Sequence, residues 1–323
     1  MKIPLFDVFY GTTHDGPGMR TTFFIKGCPL HCVWCHNPEG IDIKPQLWWD
    51  GKKCIGCMEC IALCPHHALI PEENKIVIDK DACRRCFLCA ENCPSGALSR
   101  TGDYKSIDEV VHEAEKSKTY YETFGGGATV SGGEPMMHHK EVGSLLSELS
   151  DHGIHTALDT CGNVPWEWYE DVLPYTDCVL YDIKLIDSAR HESCTGAPNG
   201  RILDNFMRLI RYRRESKPAL TIWVRTPLIP GYTDDAENIT AIGAYLGSTA
   251  RTDVERWELC SFNNLCADKY QKLQIPWTLA GEKLLSADQV EVIKEIAHKS
   301  GFPSGKIIVS GITSSCKGNF QNT

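Results

Sequence analysis

Short runs of β-branched and aromatic residues alternate with stretches of helical period along most of the chain, and the alternation breaks once. Strand-like runs occupy residues 20–26 (RTTFFIK), 128–131, 155–159, 177–183, 220–225, 254–259 and 306–310. Helical patterns fill the gaps at 106–121, 140–150, 166–173, 203–215, 235–246 and 287–299. Ser106 opens the first of them with Glu109 three residues on, the pattern of a capping box. Strands separated by helices of this length predict parallel βαβ units, because a parallel pair needs a long crossover. Six or seven such units favour an α/β fold of the partial or complete TIM-like barrel type, (β/α)6 in the partial case, over an open doubly wound sheet. In either, ligands gather at the C-terminal ends of the strands.

The break lies between about residues 50 and 100, where cysteine replaces periodicity. C-x2-C-x2-C-x3-C-P occurs at Cys54, Cys57, Cys60 and Cys64 and again at Cys83, Cys86, Cys89 and Cys93, with a β-like segment at 75–78 between them. In two-cluster ferredoxins such a run gives three thiolates to one [4Fe-4S] cluster and its fourth to the other. The expected sets are therefore Cys54, Cys57, Cys60 and Cys93 for one cluster and Cys83, Cys86, Cys89 and Cys64 for the second. An insert this poor in apolar residues would depend on its clusters as staples. A third group, Cys28, Cys32 and Cys35, follows the first predicted strand and offers only three ligands. A cubane so held keeps one iron open, as reactive metal sites do. The domain reading is thus a barrel at 1–49 and 101–316, a ferredoxin-like two-cluster insert at 50–100, and a polar, disordered tail at 317–323.

Zinc is the main rival, but zinc sites draw two ligands from each of two separated pairs, whereas three thiolates crowd within seven residues here. A disulfide framework is disfavoured by the odd total of 17 cysteines and by the lack of a leader-like N-terminal stretch, which also leads to the expectation of a cytoplasmic protein. No apolar run is long enough to span a bilayer, and a net charge of -9 argues against nucleic acid as a partner. Polar motifs stand at the predicted strand ends: Ser131-Gly132-Gly133-Glu134-Pro135, Asp159-Thr160-Cys161-Gly162, Asp182-Ile183-Lys184, and Arg225 before Pro230-Gly231. Singly, each reads as well as a turn, a cap or a surface pair. Together at one barrel mouth, beside three cysteines, they point to a shared site.

Residues 27–39 (GCPLHCVWCHNPE) resemble the signature of radical S-adenosylmethionine (SAM) enzymes. The preceding Asp15-Gly16-Pro17-Gly18 with Arg20 resembles the activating enzymes of glycyl radical enzymes, a group that includes the pyruvate formate-lyase activase. The double cysteine insert is similar to that of the larger activases, and the resemblance runs from about residue 5 to 310. It implies that SAM chelates the open iron of the cluster on Cys28, Cys32 and Cys35, which makes these the catalytic residues. It further implies that the Gly132, Gly133 and Glu134 turn receives the methionyl amino group and that Trp34 and His36 border the cofactor. Lys184 and Arg225 would lie close to it, and Asp159, Thr160 and Asp182 would hold a monovalent cation, with Asp159 also near the cofactor. Asn263 stands where the family often has histidine. Cys161, where the pyruvate formate-lyase activase has asparagine, is not counted as a ligand. Asp15 is the candidate for holding the partner's glycine-bearing loop.

The implied reaction begins with one electron from a flavodoxin or ferredoxin. Reductive cleavage of SAM then yields a 5'-deoxyadenosyl radical, which takes hydrogen from a glycine Cα of the partner enzyme. Two other readings stay open. One is a radical SAM maturase of another peptide or a small molecule, although Cys260, Cys266 and Cys316 are too scattered for the usual auxiliary-cluster pattern. The other is a ferredoxin-type electron carrier, which leaves Cys28, Cys32, Cys35 and the Gly-Gly-Glu-Pro turn without a purpose. Trp48 and Trp49 read as packing residues, His138 and His139 as helix openers, and His66 and His67 as insert surface.

Overall fold

β2 (Arg20–Ile25) is buried at all six of its positions, as a parallel strand covered on both faces must be. The computed structural model describes residues 1–73 and 75–314. The strands are β1 (Lys2–Thr12), β2, β3 (Gln46–Trp49), β4 (Leu69–Glu72), β5 (Lys75–Ile78), β6 (Leu98–Thr101), β7 (Asp103–Ser106), β8 (Gly127–Gly132), β9 (Thr156–Thr160), β10 (Cys178–Asp182), β11 (Thr221–Leu228), β12 (Arg256–Ser261) and β13 (Ile307–Ser310). β2, β8, β9, β10, β11, β12 and β13 run parallel, side by side in that order. β1 joins β2 antiparallel and β7 joins β1 antiparallel, which completes a nine-stranded sheet. Among the described residues β7 and β13 do not pair, so the sheet stays open. It is nevertheless curled: Ser131 at the end of β8 and Ser310 at the end of β13 line one cavity although four strands lie between β8 and β13.

Residue parity divides the sheet into two faces. Val130, Leu158, Val179, Ile222, Val224 and Leu259 point to the helices, where they meet Leu145, Leu149, Phe206, Leu209, Ile242 and Leu246 in the main core. Each of these, fully buried, contributes about 1.5–3 kcal/mol. The opposite parity faces the concave side. There Ala157, Cys178, Leu180 and Trp223 form a separate apolar plug. One step further along the same strands come Asp159, Asp182 and Arg225, so polarity begins where the plug ends.

Several elements differ from expectation. The stretch 106–121 is two helices, Ile107–Glu115 and Lys118–Phe124, of which the first carries the capping box of Ser106 and Glu109. The stretch 166–173 forms 3-10 turns at Trp166–Asp171 and Leu173–Tyr175 rather than an α-helix, and Pro174, which lacks an N–H, stands at the start of the second. Helices Ser188–Thr195 and Ala267–Leu273 were not anticipated, nor were β1 and β7. The predicted tail 317–323 and Cys316 lie outside the described residues.

The cysteine-rich segment is joined to the sheet by an antiparallel pair, β3 with β6, and carries a β4–β5 hairpin. Its two short helices, Glu59–Leu63 and Leu88–Glu91, each follow a left-handed residue, Met58 at φ 60° and Phe87 at φ 62°. Among its described residues the buried apolar cluster is small, Leu47, Leu69, Ile76, Ile78, Cys89 and Leu98, with Trp49 packed against it. All the described cysteines are free thiols.

The chain before β2 is locked to the chain before β8 by backbone approach. A Cβ on Gly126 would lie 1.6 Å from the Met19 carbonyl oxygen, whereas one on Gly200, at the start of the helix Gly200–Glu215, meets nothing within 4 Å. Gly126→Ala is therefore expected to lower stability by about 3 kcal/mol or more and Gly200→Ala to stay within about 0.5 kcal/mol, compared by urea unfolding midpoints. Equal midpoints would reject the interlock.

Candidate active site

β2 delivers the chain into a loop that its own hydrogen bonds define. Gly27 N donates to Gly40 O at 2.7 Å and Cys28 N to Ile41 O at 3.0 Å, so the segment returns on itself. His31 N and Val33 N donate to Thr195 O (2.7 Å) and Cys194 O (3.0 Å), which ties it to the helix Ser188–Thr195. From the other side Tyr270 Oη donates to Cys35 O at 2.8 Å, and Lys269 reaches Glu39 at 2.6 Å and Asn37 Oδ1 at 2.8 Å. The buried Lys26 ammonium donates to Glu39 O, and burial draws its pKa down to about 8. Gly133 lets the turn after β8 press against this loop, since a Cβ there would sit 2.4 Å from both Gly27 O and Gly40 O.

So constrained, Cys28, Cys32 and Cys35 open into one cavity of about 380 Å³ at the C-terminal ends of the parallel strands. Gly132, Gly133, Asp159, Thr160, Asp182, Lys184 and Arg225 line it from the strand ends, and Trp34, His36 and Asn263 from the loops. Trp34 packs with Ile229, Phe262 and Trp277 in an apolar cluster over the cysteine loop.

The sheet register sets the charges. Arg225 lies level with Asp182 on β10 and with Glu258 on β12. It donates to Asp159 Oδ2 at 3.3 Å and places Nε 3.5 Å from Glu258 Oε2. Asp159 Oδ2 also accepts from Ser131 Oγ at 2.8 Å, and Lys184 donates to Asp182. Burial lifts the Asp159 carboxyl to about 6 although Arg225 opposes it. For Lys184 burial works against the charge, but Asp182 and the Cys32 and Cys161 thiols hold its pKa above the ordinary value. Burial pushes the Cys32 thiol up to about 12 and the Cys35 thiol higher still, while a hydrogen bond from Cys161 holds Cys28 below the ordinary thiol value.

Two of the singled-out carboxylates, Glu134 of the expected turn and Asp15 of the expected partner-loop contact, have partners within the chain. The Glu134 carboxylate is fully buried outside the cavity, where it accepts from Cys161 N (2.6 Å), Met136 N (3.1 Å) and Thr160 Oγ1 (2.9 and 3.0 Å). It thereby joins the end of β8 to the end of β9 and engages the Thr160 hydroxyl. Asp15 accepts from Thr22 Oγ1 at 2.8 Å. Three groups were not anticipated: His14 and Ser310 on the cavity wall and Glu258 behind Arg225. Glu258 carried a signal, a carboxylate inside an otherwise strand-forming run. His14 and Ser310 carried none.

The insert cysteines gather into two hollows. Cys54, Cys57, Cys60 and Cys93 line one, and Cys64, Cys83, Cys86 and Cys89 the other. Among the described residues no three His, Cys, Asp or Glu side chains converge as ligands of a single metal ion. A cubane asks for one thiolate per iron instead.

With this geometry in view, the family profile described as the radical SAM superfamily matches residues 22–241. The isethionate sulfite-lyase activating enzyme of Oleidesulfovibrio alaskensis is 40% identical over 270 residues, 82% of this chain and 85% of that protein. The trans-4-hydroxy-L-proline dehydratase activating enzyme of Clostridioides difficile is 38% identical over 292 residues, 90% of this chain and 94% of that protein. The chain belongs to the radical SAM glycyl radical enzyme activating enzymes. SuiB of Streptococcus suis, solved with its precursor peptide, is 11% identical with a TM-score of 0.50, covering 88% of this chain and 46% of SuiB, and shares the fold alone.

As an activating enzyme, the protein cleaves SAM reductively and places a radical on a glycine of a partner enzyme. Its cavity fits the cluster and the cofactor on two counts. Three thiols on one loop enter it without a fourth ligand from that loop, and a buried polar atom at its wall, His36 Nε2, lacks a hydrogen-bond partner. Asp159 should make cofactor binding pH-dependent. Below about 6 it is protonated and would not attract a cationic group in the cavity; above that it is ionised. SAM affinity of the cluster-loaded enzyme is expected to rise with pH through this value, by up to about tenfold per unit, and Asp159→Asn to bind weakly with no such rise. Isothermal titration between pH 5.5 and 7.5 checks this, and a flat profile in the unsubstituted enzyme would contradict it.

Proposed function

We propose that Cys28, Cys32 and Cys35 hold a [4Fe-4S] cluster whose fourth iron takes SAM, with Gly132, Gly133 and Asp159 around the methionyl end and Trp34, His36 and Asn263 around the adenosyl end. The observation that carries this is the entry of the three thiols into the same cavity as Asp159, Asp182, Lys184 and Arg225. When bound, cluster and cofactor supply the electron and the 5'-deoxyadenosyl radical. The chain supplies orientation and a dry wall, since Trp34, Ile229 and Phe262 cover the loop. Lys184 and Arg225 neutralise Asp182 and Asp159 and, facing the cavity, can receive a carboxylate. A monovalent cation at Asp159, Thr160 and Asp182 would have to compete with these two side chains.

The two insert hollows are read as sites for two further [4Fe-4S] clusters, three in all. The insert reaches the cysteine loop through the helix Ala267–Leu273 and the residue after it. Gln274 donates to Ile76 O at 2.5 Å and accepts from Ile78 N at 2.8 Å, while Tyr270 in the same helix binds Cys35 O. This continuity supports electron delivery from a flavodoxin or ferredoxin through the insert. The partner is a glycyl radical enzyme, with isethionate sulfite-lyase the first to assay because relatives at 40% and 37% identity carry its name. Cysteines used as cluster ligands rather than in a disulfide framework suit a reducing cytoplasm.

Anaerobically reconstituted, reduced protein should release 5'-deoxyadenosine from SAM, and Cys32→Ala should release less than about a hundredth as much. Product from Cys32→Ala at the unsubstituted rate would defeat the assignment. For the relay, Cys57→Ala with Cys86→Ala should slow activation by a flavodoxin donor about tenfold or more. Unchanged rates in folded protein would reject it.

A further inference from the structure

Besides the three cysteines of the loop, Cys161 and Cys260 line the cavity. Cys260 is hydrogen-bonded to Arg225. Cys161, which follows β9, lies against Cys28, and its thiol donates a hydrogen bond to the Cys28 sulfur. Leu30 N reaches the same sulfur, so Cys28 has a side-chain donor besides a backbone one. A buried cysteine ordinarily behaves as a small apolar residue. Cys161 is buried but does not pack in that way: among the described residues it belongs to none of the apolar clusters, and its thiol is directed at another sulfur.

The backbone on both sides fixes that direction. Cys161 N donates to Glu134 Oε2 at 2.6 Å. The Thr160 hydroxyl donates to the same carboxylate at 2.9 Å and accepts from Gly162 N at 3.1 Å. Asn205 Nδ2 donates to Gly162 O at 2.9 Å and to Val164 O at 2.7 Å. Gly162 stands at φ 76°, and a Cβ there would lie 2.1 Å from Tyr181 Oη, so the turn admits no larger residue. With its neighbours held by buried partners, the Cys161 side chain has little choice of where to point. A thiol is a weak donor, but a donor gains strength when the acceptor is ionised. Cys28 is such an acceptor once it ligates a cluster, and reduction adds negative charge beside it. A hydrogen bond to that sulfur stabilises the more negative state, and hydrogen bonds to the sulfurs are among the terms that set a cluster's potential.

We propose that Cys161 is a positioning residue that acts through Cys28: its thiol, donating to the Cys28 sulfur, raises the reduction potential of the cluster held by Cys28, Cys32 and Cys35 and so eases its reduction. This rests on the cluster assignment above. Cys161 is not one of the ligands, so its loss should change the potential and leave cluster assembly intact.

Cys161→Ala removes the donor, and Cys161→Ser keeps one. Each reconstituted holoenzyme is titrated potentiometrically with EPR detection, following the reduced-cluster signal that changes when SAM is added to a parallel sample. The signals that SAM leaves unchanged, from the insert, serve as internal standards. At the solution potential that half-reduces this cluster in the unsubstituted enzyme, Cys161→Ala should lower the ratio of reduced to oxidised cluster about tenfold, which is about 59 mV for one electron. Cys161→Ser should stay within about threefold, with iron content and the insert signals unchanged in both. An unshifted midpoint in Cys161→Ala overturns the proposal. An equal shift in Cys161→Ser also overturns it, because volume and not the hydrogen bond would then matter. Loss of the SAM-responsive cluster from Cys161→Ala overturns it as well, since Cys161 would then be a ligand or a support of the loop. An unsubstituted protein with no SAM-responsive signal refutes the cluster assignment itself and the proposal with it.

Discussion

Charge at the C-terminal ends of β9 to β12 lies on the concave face of a parallel sheet and has to be paired, and that constraint organises the site. Asp182, Arg225 and Glu258 fall level on three adjacent strands, so the guanidinium lies between carboxylates by sheet register rather than by side-chain reach. Asp159 and Lys184 complete the row. Below it the apolar plug of Ala157, Cys178, Leu180 and Trp223 keeps water from the sheet interior. Above it, the C-terminal strand ends can present charge to a ligand without strain in the backbone. A one-residue slip of β11 would turn Arg225 toward the helices and leave Asp159 and Glu258 unpaired in the interior.

The cysteine loop is fixed by a different means. Few of its contacts are made by its own side chains; it is held by backbone pairs to residues 40 and 41, to Cys194 and Thr195, and by Tyr270. That leaves the three thiols free to face the cavity. The helix carrying Tyr270 also ends at Gln274, whose amide fits the open edge of β5, so one short element sets the place of both the reactive loop and the insert. The turn at residues 15–18 is likewise held through carbonyls, Pro17 O by Arg20 and Asp15 O by Thr129.

Much of this was legible in the sequence because it rests on local rules. The parallel strands showed as β-branched and aromatic runs, and the capping box at Ser106 and Glu109 appeared as read. The strand-end motifs at Gly132, Asp159, Asp182 and Arg225 came to one cavity because parallel strands end together. What was missed depends on tertiary contact. β1 has mixed composition and is made a strand by pairing with β2 and β7. The partners of the Glu134 side chain, Cys161 N and Thr160, lie on the next strand's end, which no spacing could reveal. The bonds of Arg20 join it to Thr129 and His155, more than a hundred residues away in the chain. The helix 267–273 has too short a period to stand out, and its importance lies in what it touches.

The account's central claim is that one cluster, on Cys28, Cys32 and Cys35, opens to SAM while those of the insert are closed by four cysteines each. Mössbauer spectra of enzyme reconstituted with iron-57, recorded before and after SAM is added, test it most directly. The account predicts three [4Fe-4S] contributions, one of which acquires a distinct iron site when SAM binds and is missing from Cys32→Ala. A spectrum that SAM leaves unchanged, or a SAM-responsive iron that survives Cys32→Ala, would contradict it.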